Sequence, residues 1–390
     1  MSPVLSPAGE FILTNARVVL HDRVLQGTVH VAGGTIRAVD EGASQVPWAV
    51  DLEGDLLLPG LVEIHTDNLE RHMQPRPSVY WPSSVAAALA HDAQVVAAGI
   101  TTVCDAVAVG EYREGGARRR MLLDAVNTIA ETRTQGLFRA DHLLHLRCEV
   151  PDEGVVDLFA AMVDDPRNRS LIRLVSLMDH TPGQRQWADL RTYRSFHRSK
   201  NWTDAEFQTH LDERLAARAR IAGPNRRALL DMAKSCGFVL ASHDDTTPEH
   251  VDEAVADGLT ISEFPTTLAA AAHARRHGMS VVMGAPNVVR GGSHSGNVAA
   301  LDLAAAGLLD GLSSDYVPAS LLHAAFVLHD RAGMPLPAAV ATVSRHPAAM
   351  VGLDDRGDVA AGRRADLVRV RLVGDLPVVR AVWREGVRVI

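Results

Sequence analysis

Residues 11–58 alternate apolar and polar positions in short runs, FILTNARVVL, GTVHVAGGTIRAVD and AVDLEGDLLL. Period-two alternation predicts half-buried strands. Val29, Val31 and the Gly33-Gly34 pair predict a hairpin turn. Pro59-Gly60 then punctuates the chain. The C-terminus returns to the same period in GDVAAGRRADLVRVRL and PVVRAVWREGVRVI. Isolated hairpins are marginal in water. Two β-rich ends around a different middle therefore predict one composite β-sandwich domain, built from residues 1–60 and 352–390.

The middle alternates short apolar runs with Ala-rich helical stretches. Strands are predicted at 61–65, 100–107, 142–150, 171–180, 238–245, 259–264, 280–286 and 308–315. Helices are predicted at 84–98, 117–134, 225–236, 266–276 and 297–306. Eight strands with intervening helices predict an α/β fold, a (β/α)8 TIM-like barrel over 61–351. An open doubly wound sheet is the alternative, but no GxGxxG run follows the first strand. Residues 181–224 are polar and Arg-rich and read as an inserted lid with a helix near 204–222.

Composition narrows the function classes. The chain has 390 residues and a formal charge of −8, which argues against a general nucleic-acid or anionic-membrane binder. Its 47% hydrophobic content excludes wholesale disorder. Cys104, Cys148 and Cys236 are too scattered for a disulfide framework and read as free thiols. The start MSPVLSPAGE carries no secretory pattern. The apolar stretch 85–103 is broken by His91, Asp92 and Gln94. The expected location is the cytoplasm.

In a barrel, polar side chains at the C-terminal strand ends build the active site. The first predicted strand ends in His65-Thr66-Asp67, and positions 65 and 67 share a face. Glu149 ends the third, with Arg147 and His145 on the same face. Asp179-His180 ends the fourth, His243-Asp244-Asp245 the fifth, and Asp315 the last. Any one of these taken alone reads as a cap or a core polar group. Together, nitrogen and carboxylate donors on one rim suit Zn or Mn, and a bridging carboxylate allows two ions.

The segment LPGLVEIHTDNLERHMQPRP, the terminal GRRADLV and the β-rich ends around a barrel resemble the amidohydrolase superfamily of metal-dependent hydrolases, over nearly the whole chain. Much of that superfamily carries HxH on the first strand and a carboxylated Lys between two metals. This chain has His65-x-Asp67, and its lysines, Lys200 and Lys234, lie outside every predicted strand. Glu149 is the expected substitute bridge. The resemblance implies a metal set of His65, Asp67, Glu149, His180 and His243, with Asp315 taking a proton from the attacking water. Asp315 reads equally as a helix N-cap.

A narrower set of strings is similar to the phosphonate-utilisation hydrolases of the carbon–phosphorus lyase pathway: HTDNLERHMQPRPSVYWP, LHLRCEVPDE, SLMDHTPGQRQ, SHDD, EFPTT, MGAPNVVRGGSHSGN and LSSDY. That similarity implies hydrolysis of a ribose 1-methylphosphonate 5-triphosphate to the 5-phosphate with release of pyrophosphate. A triphosphate needs neutralising groups. Candidates are Arg71, His72, Arg76, Arg147 and Arg185. A Gly/Ser-rich loop carrying Arg290, Gly292, Ser293, His294 and Asn297 joins them, ahead of a predicted helix whose N-terminus favours phosphate. An oxygen ligand at Asp67 hardens the site toward Mn and phosphate oxygens.

The expected partner is a small phosphorylated sugar, with no nucleic acid and no membrane, and a homo-oligomer is left open. A C–N hydrolase of the same fold explains the metal rim equally but leaves the arginines idle. A non-catalytic scaffold predicts no metal. Arg118-Arg119-Arg120 reads as a solvated helix face and His273/His277 as surface. His142 and His145 read as core groups, and Cys148 as a packed thiol. Trp81, Trp187 and Trp202 read as sugar-pocket or packing residues.

Overall fold

A computed structural model describes residues 9–77, 79–110, 117–293 and 296–390. The N-terminal runs form β1 (Phe11–Val19), β2 (Val24–Ala32), β3 (Thr35–Glu41), β4 (Val50–Asp51) and β5 (Leu56–Pro59). The middle forms β6 (Leu61–Thr66), β7 (Ile100–Val109), β8 (Asp141–Glu149), β9 (Ile172–Met178), β10 (Val239–His243), β11 (Ile261–Glu263), β12 (Ser280–Gly284) and β13 (Gly311–Ser313). The C-terminus adds β14 (Leu367–Val373), β15 (Leu376–Arg384) and β16 (Val387–Arg388).

The terminal strands share one mixed sheet in the order β16-β15-β14-β5-β1-β2-β3, with β4 on β1. Antiparallel pairing of β14 with β5 brings the two ends together. The strands expected as a sandwich are thus hydrogen-bonded into one connected sheet, around Leu13, Val29, Ile36, Leu57, Leu367 and Trp383. At the junction, the Gly60 N–H donates to the Asp366 carbonyl at 2.8 Å. A Cβ there would run into Thr101 and lie 2.9 Å from Asp366 Cβ, so only glycine lets the chain pass.

Strands β6 to β13 pair in sequence order, all parallel. Each predicted barrel strand is present, with its ends within three residues of those expected. Val62, Ile64, Cys104, Leu143, Leu174, Ala241, Ile261 and Val282 fill the interior. The alternate positions face helices such as Ser84–Ala97 and Ala117–Thr134. Closure joins β6 to the end of β13. The Asp315 N–H donates to the His65 carbonyl at 3.0 Å and the Asp67 N–H to the Asp315 carbonyl at 3.1 Å. Glu63 clamps this seam, accepting from the His65 N–H at 2.6 Å and the Ser314 N–H at 2.5 Å. Burial pushes the Glu63 carboxyl up to about 8.

The opposite, N-terminal mouth is tied to the terminal sheet. Asp141, at the start of β8, accepts from Arg133, from Arg356 Nη1 at 2.7 Å and from Arg364 Nη1 at 3.2 Å. Burial works against ionisation there, but these guanidinium groups outweigh it and hold Asp141 below the usual carboxylate range.

Two helical expectations change. Separate helices are expected near 204–222 and over 225–236, yet one helix runs Asp204–Ser235 through Pro224. Its start is fixed by a Thr203/Glu206 capping box, and its C-terminal half buries Leu229, Leu230 and Ala233. The helix expected over 297–306 spans Ala300–Ala305, and an unpredicted one precedes it at Ala285–Arg290. Among the described residues, no helix is long and apolar enough to cross a membrane.

Candidate metal centre and phosphate pocket

The C-terminal ends of the barrel strands open into a cavity of about 280 Å3. His65, Asp67, Arg147, His180, His243, Asp244 and Asp315 line its floor and walls. Three strands leave the barrel through left-handed residues that are not glycine: Asp244 (φ 57°), Phe264 (φ 54°) and Asp315 (φ 54°). Each is pinned by its own N–H, donated to Glu263, Val282 and His65 carbonyls at 2.9, 2.8 and 3.0 Å. Strained backbone of this kind concentrates at functional sites. Here it turns side chains at the strand ends toward the pocket.

The imidazoles are held by carboxylates behind them. His65 Nδ1 lies 2.7 Å from Glu263 Oε1, and His243 Nδ1 lies 2.9 Å from Glu263 Oε2. His180 Nδ1 lies 2.6 Å from Glu149 Oε2. A carboxylate on Nδ1 fixes the tautomer that offers Nε2 as a ligand. His180, His243 and Asp244 each bring one donor atom to within 4.8 Å of the others. His243 Nε2 and Asp244 Oδ2 are 3.6 Å apart. Burial holds the His243 imidazole down to about 3, Arg147 and His65 adding to the effect. Burial, and then Arg147, likewise holds His65 well below its ordinary range. Neutral imidazoles beside an acid are what a divalent cation requires. The donor chemistry of this trio fits such an ion.

Asp315 faces the same cavity from the closure seam. Burial, then the neighbouring Asp67 carboxylate, raises it to about 7. It is not an N-cap, since the following helix begins at Ser320 with Ala319 before it.

Several expected roles move. Glu149, expected as a metal bridge, has both oxygens engaged by His180: Oε1 accepts the backbone N–H at 2.9 Å and Oε2 meets Nδ1. Arg185, expected on phosphate, is buried away from the cavity, donating to the His243 carbonyl at 3.0 Å and Asp245 Oδ1 at 2.5 Å. His72 turns to Gln94 Oε1 at 2.9 Å, and Arg76 is exposed outside the cavity. Arg71 reaches the rim only, donating to the Tyr316 carbonyl at 3.0 Å. Arg147, Arg290, Gly292, Ser293 and Asn297 do line the cavity. His294 lies outside the described residues, as do the side chains of Arg118, Arg119 and Arg120. The glycine loop follows the Ala285–Arg290 helix through a left-handed Gly291, so it does not abut the next helix as expected.

Sequence reasoning missed Glu263, which orients two imidazoles at once. Its only signal was a carboxylate closing the strand in LTISEF. Asp244 stood beside His243 in the SHDD run without being singled out as a ligand. Trp187 and Phe196, both from the 181–224 insertion, line the cavity with ring centroids 4.9 Å apart. Trp81 is exposed, and Trp202 packs on His210 with ring centroids 4.6 Å apart.

A second buried polar cluster lies behind β7, between strand and helix. Asp105 accepts from His91 and His142 at 2.7 Å each, and Asn68 Nδ2 meets His91 Nδ1 at 2.9 Å. Burial lowers His142, but Asp105 and Asp92 outweigh it and raise the ring to about 9. This cluster anchors Asn68, the residue after Asp67. His145 is buried and bonded to the Ile64 carbonyl and Ser176 Oγ, and Cys148 is buried.

Comparison with known proteins places this geometry. The chain is 49% identical over 381 residues to the α-D-ribose 1-methylphosphonate 5-triphosphate diphosphatase of Escherichia coli (strain K12), covering 97% of this chain and 100% of that protein. Among solved structures, an N-acetyl-D-glucosamine-6-phosphate deacetylase from Mycobacterium smegmatis matches with TM-score 0.64 at 20% identity, over 97% of this chain and 100% of that one. A 5-methylcytosine deaminase from Klebsiella pneumoniae matches with TM-score 0.63 at 15% identity, over 97% and 98%. These two likenesses bear on the fold alone. The model of the amidohydrolase family, whose members typically bind divalent metals, matches residues 56–389, and the chain belongs to that family.

Proposed function

We propose that the chain hydrolyses α-D-ribose 1-methylphosphonate 5-triphosphate to the 5-phosphate and pyrophosphate, as a metal-dependent enzyme of phosphonate catabolism. The observation that carries this reading is the 49% identity over the full length of the Escherichia coli diphosphatase. The pocket agrees with it: Arg147 and Arg290 face a cavity that also holds metal-type donors. A C–N hydrolase acting on an uncharged amide would leave these arginines idle.

His180, His243 and Asp244 would hold a divalent ion, with His65 and Asp67 lining the same cavity beside it. Such an ion activates water and neutralises phosphate oxygens. Asp315 is placed to accept the water's proton, as a carboxylate beside the reacting centre can near neutral pH. Arg290, Gly292, Ser293 and Asn297 bind the outer phosphates at the rim. Trp187 and Phe196 cover the sugar, so the 181–224 insertion acts as a lid on the barrel domain (61–351). The terminal sheet (1–60 and 352–390) forms a second domain. The enzyme acts on a small phosphorylated sugar in the cytoplasm.

The test is pyrophosphate release from the ribose methylphosphonate triphosphate, with and without added Zn2+ or Mn2+, and with ATP as control. Metal-dependent release from the ribose substrate is expected. No release, alongside hydrolysis of an amide or amidine, would replace this reading with the C–N one.

A further inference from the structure

Arg147 projects from β8 into the pocket and is only 7% exposed, yet its Nε and Nη1 make no hydrogen bond. Burying a cation without partners is costly. The nearest carboxylate, Asp67 Oδ2, is 3.9 Å from Nη1, and Asp67 Oδ1 is also buried without a partner. A guanidinium and a carboxylate thus stand side by side with donor and acceptor capacity left over.

The donors for metal are unevenly spread. Among the described residues, pocket-lining donor atoms come within 4.8 Å of one another at His180, His243 and Asp244, while Asp67 and Asp315 join no such group of three. In a second trio, His65, His145 and Glu263, only His65 lines the pocket. His65 Nδ1 is on Glu263, and both His145 nitrogens are bonded to Ile64 O and Ser176 Oγ. Glu149 is engaged by His180. The two lysines lie at Lys200 and Lys234, in helical segments away from the strand ends, so neither can supply a bridging carbamate.

We propose that Arg147 is a fixed cation standing in for a second metal: the pocket takes one divalent ion, at His180, His243 and Asp244, and the Arg147 guanidinium supplies the other positive charge, aimed at a phosphate oxygen of the substrate. This rests on the triphosphatase reading for its substrate class. Guanidinium is planar, permanently charged and suited to bidentate contact with phosphate. It stands beside Asp67 and is already desolvated when the anion arrives, so its charge acts at full strength.

The full chain is stripped of metal, reloaded with excess Mn2+ and desalted. Elemental analysis is expected to give one ion per chain, and electron paramagnetic resonance the six-line spectrum of isolated Mn2+. Binding of pyrophosphate to the loaded protein is expected to weaken by about tenfold or more in Arg147→Met, the loss of one charge-assisted hydrogen bond. Arg147→Lys falls between, and both variants keep one ion. Two ions per chain, or an exchange-coupled Mn2+ pair in the wild type, overturns the proposal whether or not the variants fold. Unchanged pyrophosphate affinity in a folded Arg147→Met overturns it too. One ion with isolated-Mn2+ spectra but no turnover of the ribose triphosphate would overturn the substrate reading alone.

Discussion

Glu149 is bonded twice to His180, its Oε1 accepting the backbone N–H at 2.9 Å and its Oε2 facing Nδ1 at 2.6 Å. The carboxylate therefore sets both the position and the ring orientation of one imidazole. Loss of such a partner costs about 10- to 100-fold in metal affinity. Glu149→Gln keeps one acceptor but sets an N–H against the second donor. Metal affinity of that variant, measured by competition with a chelator, is expected to fall by about that factor with the fold intact. Affinity equal to wild type would remove Glu149 from the site.

Glu263 serves two rings, His65 at 2.7 Å and His243 at 2.9 Å. No rotation of a Gln side chain can accept from both. Glu263→Gln is therefore expected to lower metal affinity more than Glu149→Gln does, toward the upper end of about 100-fold. Equal losses in the two variants would show that only one of the two imidazoles on Glu263 matters.

The pattern of strands was legible because buried parallel strands read as apolar runs between helical stretches, and His65, His180 and His243 stood at their ends. What was not legible came from backbone direction. Arg185 follows His180 by five positions, and closeness along the chain suggested closeness to the pocket. Instead the segment turns away, and the guanidinium braces the His243 carbonyl and Asp245. The left-handed residues Asp244 and Asp315 redirect their strands without a glycine to announce it. Glu263 was hidden for a different reason. A carboxylate that orients imidazoles leaves no spacing signature of its own, because its partners come from β6 and β10.

Asp315 lines the cavity beside Asp67 and is tied to the closure seam by its backbone alone, through His65, Asp67 and Thr66. Its side chain is thus dispensable for closure and available for proton transfer. Asp315→Asn is expected to retain bound metal and fold while turnover drops by about 100-fold or more. Metal content by elemental analysis and initial rates on the triphosphate check this. A variant with wild-type turnover would mean another group accepts the proton.

His142 offers a stability test that is independent of the pocket. Burial opposes its charge, but Asp105 and Asp92 dominate and raise it to about 9, above the value of about 6.5 in an unfolded chain. A raised histidine stabilises the fold fully below the unfolded value, and that contribution disappears as pH climbs through the folded one. The urea midpoint is therefore expected to fall between pH 6.5 and pH 9.5. In His142→Gln the midpoint is lower at pH 6.5, and this fall is much reduced. Parallel pH curves for the two proteins would show that the ring is neutral in the cluster.

Gly60 joins the terminal sheet to the first barrel strand where Thr101 and Asp366 leave no room for a side chain. Its N–H is bonded to the Asp366 carbonyl, so the backbone cannot back away without breaking that link. Gly60→Ala is expected to cost about 1–3 kcal/mol in urea unfolding, as overpacked interiors do. Thr101→Ser removes the methyl group and relieves part of the clash, so the double variant Gly60→Ala/Thr101→Ser should lose less than the sum of the two single changes. Strict additivity between two positions this close would show that the junction tolerates a Cβ by moving as a unit, and that the two sheets are less firmly locked than the hydrogen bond implies.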